Sequence, residues 1–259
     1  MNLIEMHIMK QAYSLCNNVK FIALEDGSYP YFINHLPKGG LDKNSTTRFI
    51  RKVLFKYILG CGKFYSFEGD FMGANTWINS IYLTYPKLAR NIYDSKNKVA
   101  ITSNEFKEGI GYLFLPTKTI IKNNAVILIL DKLDVYEDLK NIKSEIYSIL
   151  KHLNILNISV YFKYHPRETD NLYLDIYGKE LDRKIAIESF YKDFLEQKPI
   201  IIGIKSTGLQ TAKKMGYKVI TLSKFLNEHN EDVIKFYKKI GICIPNNLDS
   251  IFKFIIDES

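Results

Sequence analysis

The chain has 259 residues, of which 46% are hydrophobic and 25% charged, and it carries a formal net charge of +8. That hydrophobic share supports a packed core and excludes a disordered chain, and the length fits one large or two ordinary domains. The positive balance suits an anionic partner such as a nucleotide, a phosphorylated glycan or an anionic membrane surface, while the lack of a Lys/Arg block or nucleic-acid motif ranks nucleic acid low.

In chain order, residues 1–15 include Glu5 and lack an apolar core, so they do not read as a signal peptide. Val19 to Leu24 reads as a strand running into Glu25-Asp26-Gly27, where glycine allows a sharp turn. Two prolines and Gly39-Gly40 mark a loop over residues 28–43. Ser45 or Thr46 would cap a helix reaching Tyr57, with Arg48, Arg51, Lys52 and Lys56 on a solvated face. A strand is expected over residues 63–67. Residues 68–78 read as irregular, with Trp77 as a core residue. The pattern resets around Tyr85-Pro86-Lys87 and turns polar over residues 94–98, which puts a domain boundary near residue 96.

The second half, 97–259, alternates strands with helices. Strands are expected at Ala125–Leu130, Ile158–Phe162, Pro199–Gly203 and Lys218–Leu222. Helices are expected at Tyr136–Leu153, Glu188–Glu196, Thr207–Met215 (ended by Gly216), Glu231–Ile240 and Leu248–Ile256. Continuous apolar strands between helices argue a parallel sheet, hence a Rossmann-like α/β domain, although no GxGxxG element is present. The longest apolar run, Ala125–Leu130, is too short to span a membrane. Cys16, Cys61 and Cys243 form neither a metal pattern nor a disulfide framework and read as reduced thiols of a cytoplasmic protein.

Three stretches carry chemistry. Pro166 ends the strand that precedes it, leaving Lys163, His165, Arg167 and Glu168 at the carboxyl edge of a sheet, where α/β folds bind ligands. Lys205-Ser206-Thr207-Gly208 follows a strand and opens a helix. Unpaired N–H groups and hydroxyls there suit a phosphate, although Ser and Thr are also ordinary helix caps. Glu25-Asp26-Gly27 is an acidic turn. Glu188, near the start of a helix, could accept from a ribose diol or simply favour the helix dipole.

An acidic-Asp-Gly turn, a Lys-x-His-Pro and a Ser/Thr pair before a helix, in that order, resemble the bacterial sialyltransferases that cap lipooligosaccharide or build sialic-acid capsules. The resemblance covers roughly residues 21–222. It implies a GT-B type enzyme: two Rossmann-like domains, 1–96 on the acceptor side and 97–259 on the donor side, with a cleft between them. It implies transfer of sialic acid from CMP-sialic acid to a glycan hydroxyl with inversion and without a metal. Asp26 would be the base, with Glu25 as second choice or helper, and His165 would be the acid, stabilising the leaving phosphate and donating a proton to it. Ser206, Thr207 and Gly208 would hold that phosphate, Lys163 and Arg167 would raise the local potential, Pro166 would orient the loop, and Glu188 would bind ribose. No cofactor is implied beyond the donor. The acceptor would be lipid-linked, with peripheral contact at the inner face of the membrane. The acidic motif lies early for this family, so the N-terminal Rossmann-like domain is expected to be incomplete. A CDP-glycerol-type phosphotransferase shares the Lys-x-His-Pro and a serine pair, but its Asp-Tyr-Ser-Ser context is absent here. A truncated CMP-binding module without turnover is the other alternative.

Overall fold

A computed structural model describes residues 11–12, 14–15, 19–25, 30–31, 53, 78–114, 117, 119–132, 136, 138–169, 177–228 and 230–257. The chain divides into two compact units, Met1–Ile101 and Thr102–Ser259. Expectations for residues 28–29, 32–52, 54–77 and for Asp26 and Gly27 fall outside the described residues, including the proposed helix reaching Tyr57, the strand at 63–67 and Trp77.

The first unit holds a three-stranded parallel sheet in the order β1 (Phe21–Leu24), β2 (Ile78–Leu83), β3 (Asn97–Ala100). Among the described residues its buried apolar cluster comprises Ala23, Ile78, Ile81, Leu83 and Tyr93. The sequence boundary near residue 96 needs moving, because the strand just after it pairs with β2 rather than with the second sheet. The polar stretch that suggested a break is the turn into β3, where Lys98 pairs with Asp94 at 2.6 Å.

The second unit opens with α1 (Ser103–Leu113). Its first turn is closed by a reciprocal cap: Thr102 Oγ1 accepts from the Glu105 backbone N–H, and the Glu105 carboxylate accepts from the Thr102 N–H. The remaining elements are β4 (Val126–Ile129), α2 (Leu139–Ile155), β5 (Val160–Lys163), β6 (Lys179–Glu180), α3 (Ile187–Asp193), β7 (Ile200–Gly203), α4 (Thr207–Met215), β8 (Lys218–Thr221), α5 (Glu231–Lys239) and α6 (Leu248–Asp257). Gly216 ends α4 in the left-handed region at φ 96°, a conformation that costs glycine nothing.

The sheet is parallel throughout, in the order β6-β5-β4-β7-β8. Every residue of β4, β5 and β7 is buried, as expected of strands covered on both faces. Val126, Leu128, Val160, Phe162, Ile200 and Ile202 pack with Ile142, Ile146, Ile149 and Leu153 of α2 and with Ile251 and Ile255 of α6. On the other face, Gly208 of α4 sits so close to Ile129 and Ile187 that a Cβ would lie 3.3–3.4 Å from both. This α/β architecture is compatible with a Rossmann-like domain. Among the described residues, no helix is long and apolar enough to cross a membrane.

Candidate functional site

The chain enters the large sheet at its centre, β4, builds outward through β5 and β6, then returns to the other side of β4 with β7 and β8. The order therefore reverses between β4 and β7, the switch point whose carboxyl end forms a ligand crevice in open α/β sheets. Ile129 stands opposite both Lys163 and Gly203 in the ladder. Two residues further on each chain come Asp131, His165 and Lys205, so the in-register strands deliver all three to one edge.

The four sequence-expected residues of the His-Pro loop divide by burial. Lys163 is only 2% exposed. Its Nζ donates to the carbonyls of Tyr164 at 2.9 Å and Arg183 at 3.0 Å. Desolvation brings its pKa down to about 8, partly opposed by the charges of Asp182, Glu180 and Glu188. The expectation that Lys163 presents a cation to a ligand is therefore corrected: the ammonium is spent inside, tying β5 to the segment after β6. Pro166 and Arg167 are exposed. His165 is half-buried, and its Nδ1 accepts the backbone N–H of Arg167 at 3.1 Å. A backbone N–H only donates, so in the neutral ring Nδ1 is the acceptor and the proton sits on Nε2.

Arg183 braces this loop. Its guanidinium pairs with Glu180 at 2.7 and 2.9 Å, lies 4.5 Å above the Tyr164 ring, and donates to the Glu168 carbonyl at 3.1 Å. With Glu168 N–H returning to the His165 carbonyl at 2.9 Å, the turn that carries His165 is fixed at both ends.

Ser206 is the N-cap of α4: its hydroxyl accepts from the Gly208 N–H at 3.2 Å. Thr207 opens the helix and is exposed. Gly208 is buried, its N–H is used by the cap, and its carbonyl accepts from Tyr191 at 3.0 Å. Its assignment to ligand binding is corrected to a packing role, since helix α3 and strand β4 fill the space beside it. Glu188 lies in the first turn of α3, and burial raises its pKa, opposed by its own N–H and by Lys163.

In the other unit, Glu25 follows β1 and its N–H donates to the Tyr82 carbonyl at 3.0 Å. Its Oε2 accepts from the Tyr31 hydroxyl and from the Thr84 backbone N–H, and the Tyr31 oxygen in turn accepts from Tyr85 N–H at 2.9 Å. Burial and the Glu25 charge drive the Tyr31 pKa upward, so Tyr31 stays a donor. Glu25 thus holds the carboxyl end of this sheet together, which argues against its second-choice role as a base. Asp26, the first choice, lies outside the described residues.

Sequence reading passed over Asp131. Its Oδ2 accepts from Lys205 N–H at 3.0 Å and from Tyr136 OH at 2.9 Å. Burial raises its pKa, against those two hydrogen bonds and the charges of Lys205 and His165. Lys205 Nζ pairs with Glu228 at 2.5 Å and lies 5.9 Å from the Tyr136 ring centre. Tyr237 reaches the Ser206 carbonyl at 3.5 Å, and burial together with the Asp131 charge raises its pKa. A signal for Asp131 was present: it is the first ionisable residue after the apolar run of a central parallel strand. Among the described residues no three His, Cys, Asp or Glu side chains gather into a possible metal site. Cys243, the described cysteine, is half-buried with its thiol pKa raised by burial. No protein-family model matches the chain, and no curated protein matches it in sequence.

Proposed function

We propose that the chain is a glycosyltransferase of GT-B type that moves sialic acid from CMP-sialic acid to a glycan hydroxyl with inversion. The observation that carries this reading is that His165 and Ser206, forty-one positions apart, leave strands flanking β4 at the same carboxyl edge. The CMP phosphate would lie at the start of α4, against Ser206 and Thr207, where the helix dipole favours an anion. As the bond from the sugar's anomeric carbon to the phosphate oxygen breaks, negative charge grows on that phosphate. His165 Nε2–H is the donor available to it. Nδ1 is already used as an acceptor, so His165 stabilises by hydrogen bonding rather than by giving up a proton. Asp26 would take the proton of the acceptor hydroxyl. The excess of basic residues fits a lipid-linked acceptor at an anionic membrane surface, and the resemblance implies no metal.

The test is release of CMP from CMP-sialic acid in the presence of a galactose-terminated acceptor. Turnover should fall about a hundredfold or more in Asp26→Asn, as for loss of a general base. It should fall by about a hundredfold to a thousandfold in His165→Ala, the range for removing a donor to a developing charge. Unchanged turnover in both variants would refute the assigned roles. Binding of CMP without any turnover would favour the nucleotide-binding module, a reading supported by the commitment of Glu25 to Tyr31 and Thr84.

A further inference from the structure

Asp131 is unexpected beside a phosphate site. It is a carboxylate at the central strand's end, and it holds the backbone N–H of the residue immediately before Ser206. The groups around it come from every neighbouring strand end: His165 after β5, Lys205 after β7 and Glu228 after β8, together with Tyr136, and with Tyr237 from α5. Lys205 is neutralised by its pairing with Glu228, and both tyrosines stay protonated, so no fixed cation offsets Asp131 fully.

Resting on the donor-site reading above, we propose that Asp131 is a specificity-determining residue that makes this edge accept a singly charged phosphodiester and reject a doubly charged phosphomonoester. A CMP-linked sugar is a phosphodiester with one negative charge. The CMP left after transfer is a monoester, whose second ionisation lies near pH 6, so it carries close to two charges at neutral pH. The hydrogen-bond donors of Ser206, the start of α4 and His165 serve one charge. A second charge is repelled further by the Asp131 carboxylate at the end of the central strand. The same repulsion acts on charge developing during bond breaking, so Asp131 trades part of the rate of that step for release of product. A plain phosphate site, built of helix dipole and cations, has the opposite preference.

The experiment is calorimetric titration of the full chain with CMP and with the methyl phosphodiester of CMP, at about pH 8, repeated on Asp131→Asn. The amide keeps an acceptor oxygen for Lys205 N–H and Tyr136 while removing the charge. One unit charge at about 8 Å in a medium between protein and water corresponds to roughly tenfold in affinity. The expected result is wild-type chain binding the methyl ester about tenfold more tightly than CMP, and Asp131→Asn removing that preference by tightening CMP about tenfold more than it tightens the ester. CMP bound as tightly as the ester by wild-type chain, or a preference that survives in Asp131→Asn, overturns the proposal and leaves the donor site standing. Folded wild-type chain that binds neither ligand overturns both. Should Asp131→Asn not fold, the direction of the wild-type preference alone decides.

Discussion

The two parallel sheets differ in how they place their terminal residues. In the five-stranded sheet, β4, β5 and β7 are buried along their whole length and packed on both faces, so the residues two steps beyond them emerge at fixed, matching heights. In the three-stranded sheet, β1 alternates, and Ile22 and Leu24 are 56% and 66% exposed. There the carboxyl end is fixed by polar ties instead: Glu25 to Tyr31 and Thr84. Burial on both faces positions a site through apolar packing. A half-buried sheet needs side-chain hydrogen bonds for the same task.

The largest expected effect sharpens that contrast. Phe162→Ala in β5 should destabilise the chain by about 3–5 kcal/mol in urea unfolding, since it empties a fully packed position. Ile22→Ala in β1 should stay within about 0.5 kcal/mol, as surface substitutions do. Equal costs would break the comparison.

Lys163 comes next. Its pKa is about 8 in the fold, and the unfolded chain has the ordinary 10.5. Between these values the unfolded chain binds a proton that the folded chain lacks, so this group makes stability rise with pH from about 8 to about 10.5, its penalty being complete below 8. Lys163→Met should remove that rise, worth about 2 kcal/mol after discounting residual solvation. The check is the difference between wild-type and variant stabilities across this window.

Tyr31→Phe should cost about 1–2 kcal/mol, because it removes a donor to Glu25 and the acceptor for Tyr85 N–H. If the loss were near zero, the polar tie would not be what fixes this edge. Ser206→Ala should cost only about 1 kcal/mol of stability through the lost N-cap, measured by thermal unfolding.

The same contrast governs what was legible in the sequence. β4, β5 and β7 and the helices α2 and α4 stand out because strands buried on both faces keep continuous apolar runs and helices buried on one face keep a 3.6-residue periodicity. The strands β2, with Asn79 and Ser80 inside it, and β3, with Asn97 and Lys98, carry polar residues on a partly exposed sheet and give no such pattern. The two-residue β6 is too short to leave one. Helix α1 is absent from the helices expected above, although Thr102 and Glu105 stand at capping-box spacing, a signal that local reading can use. His165 and Ser206 were placed at a strand edge and a helix start from Pro166 and the Ser-Thr-Gly step. That Lys163 turns inward, and that Asp131 joins Lys205 seventy-four residues away, depends on strand order, which sequence pattern alone leaves open.

The central claim is that the carboxyl edge at the β4–β7 switch point holds the phosphate of a cytidine nucleotide. Its most direct test is calorimetric titration of the purified chain with CMP, then UMP, and again with CMP on Ser206→Ala/Thr207→Ala. The account predicts saturable CMP binding, weaker UMP binding, and loss of CMP binding in a double variant that remains folded. CMP binding of equal strength in the double variant, or none by the folded wild-type chain, would contradict it.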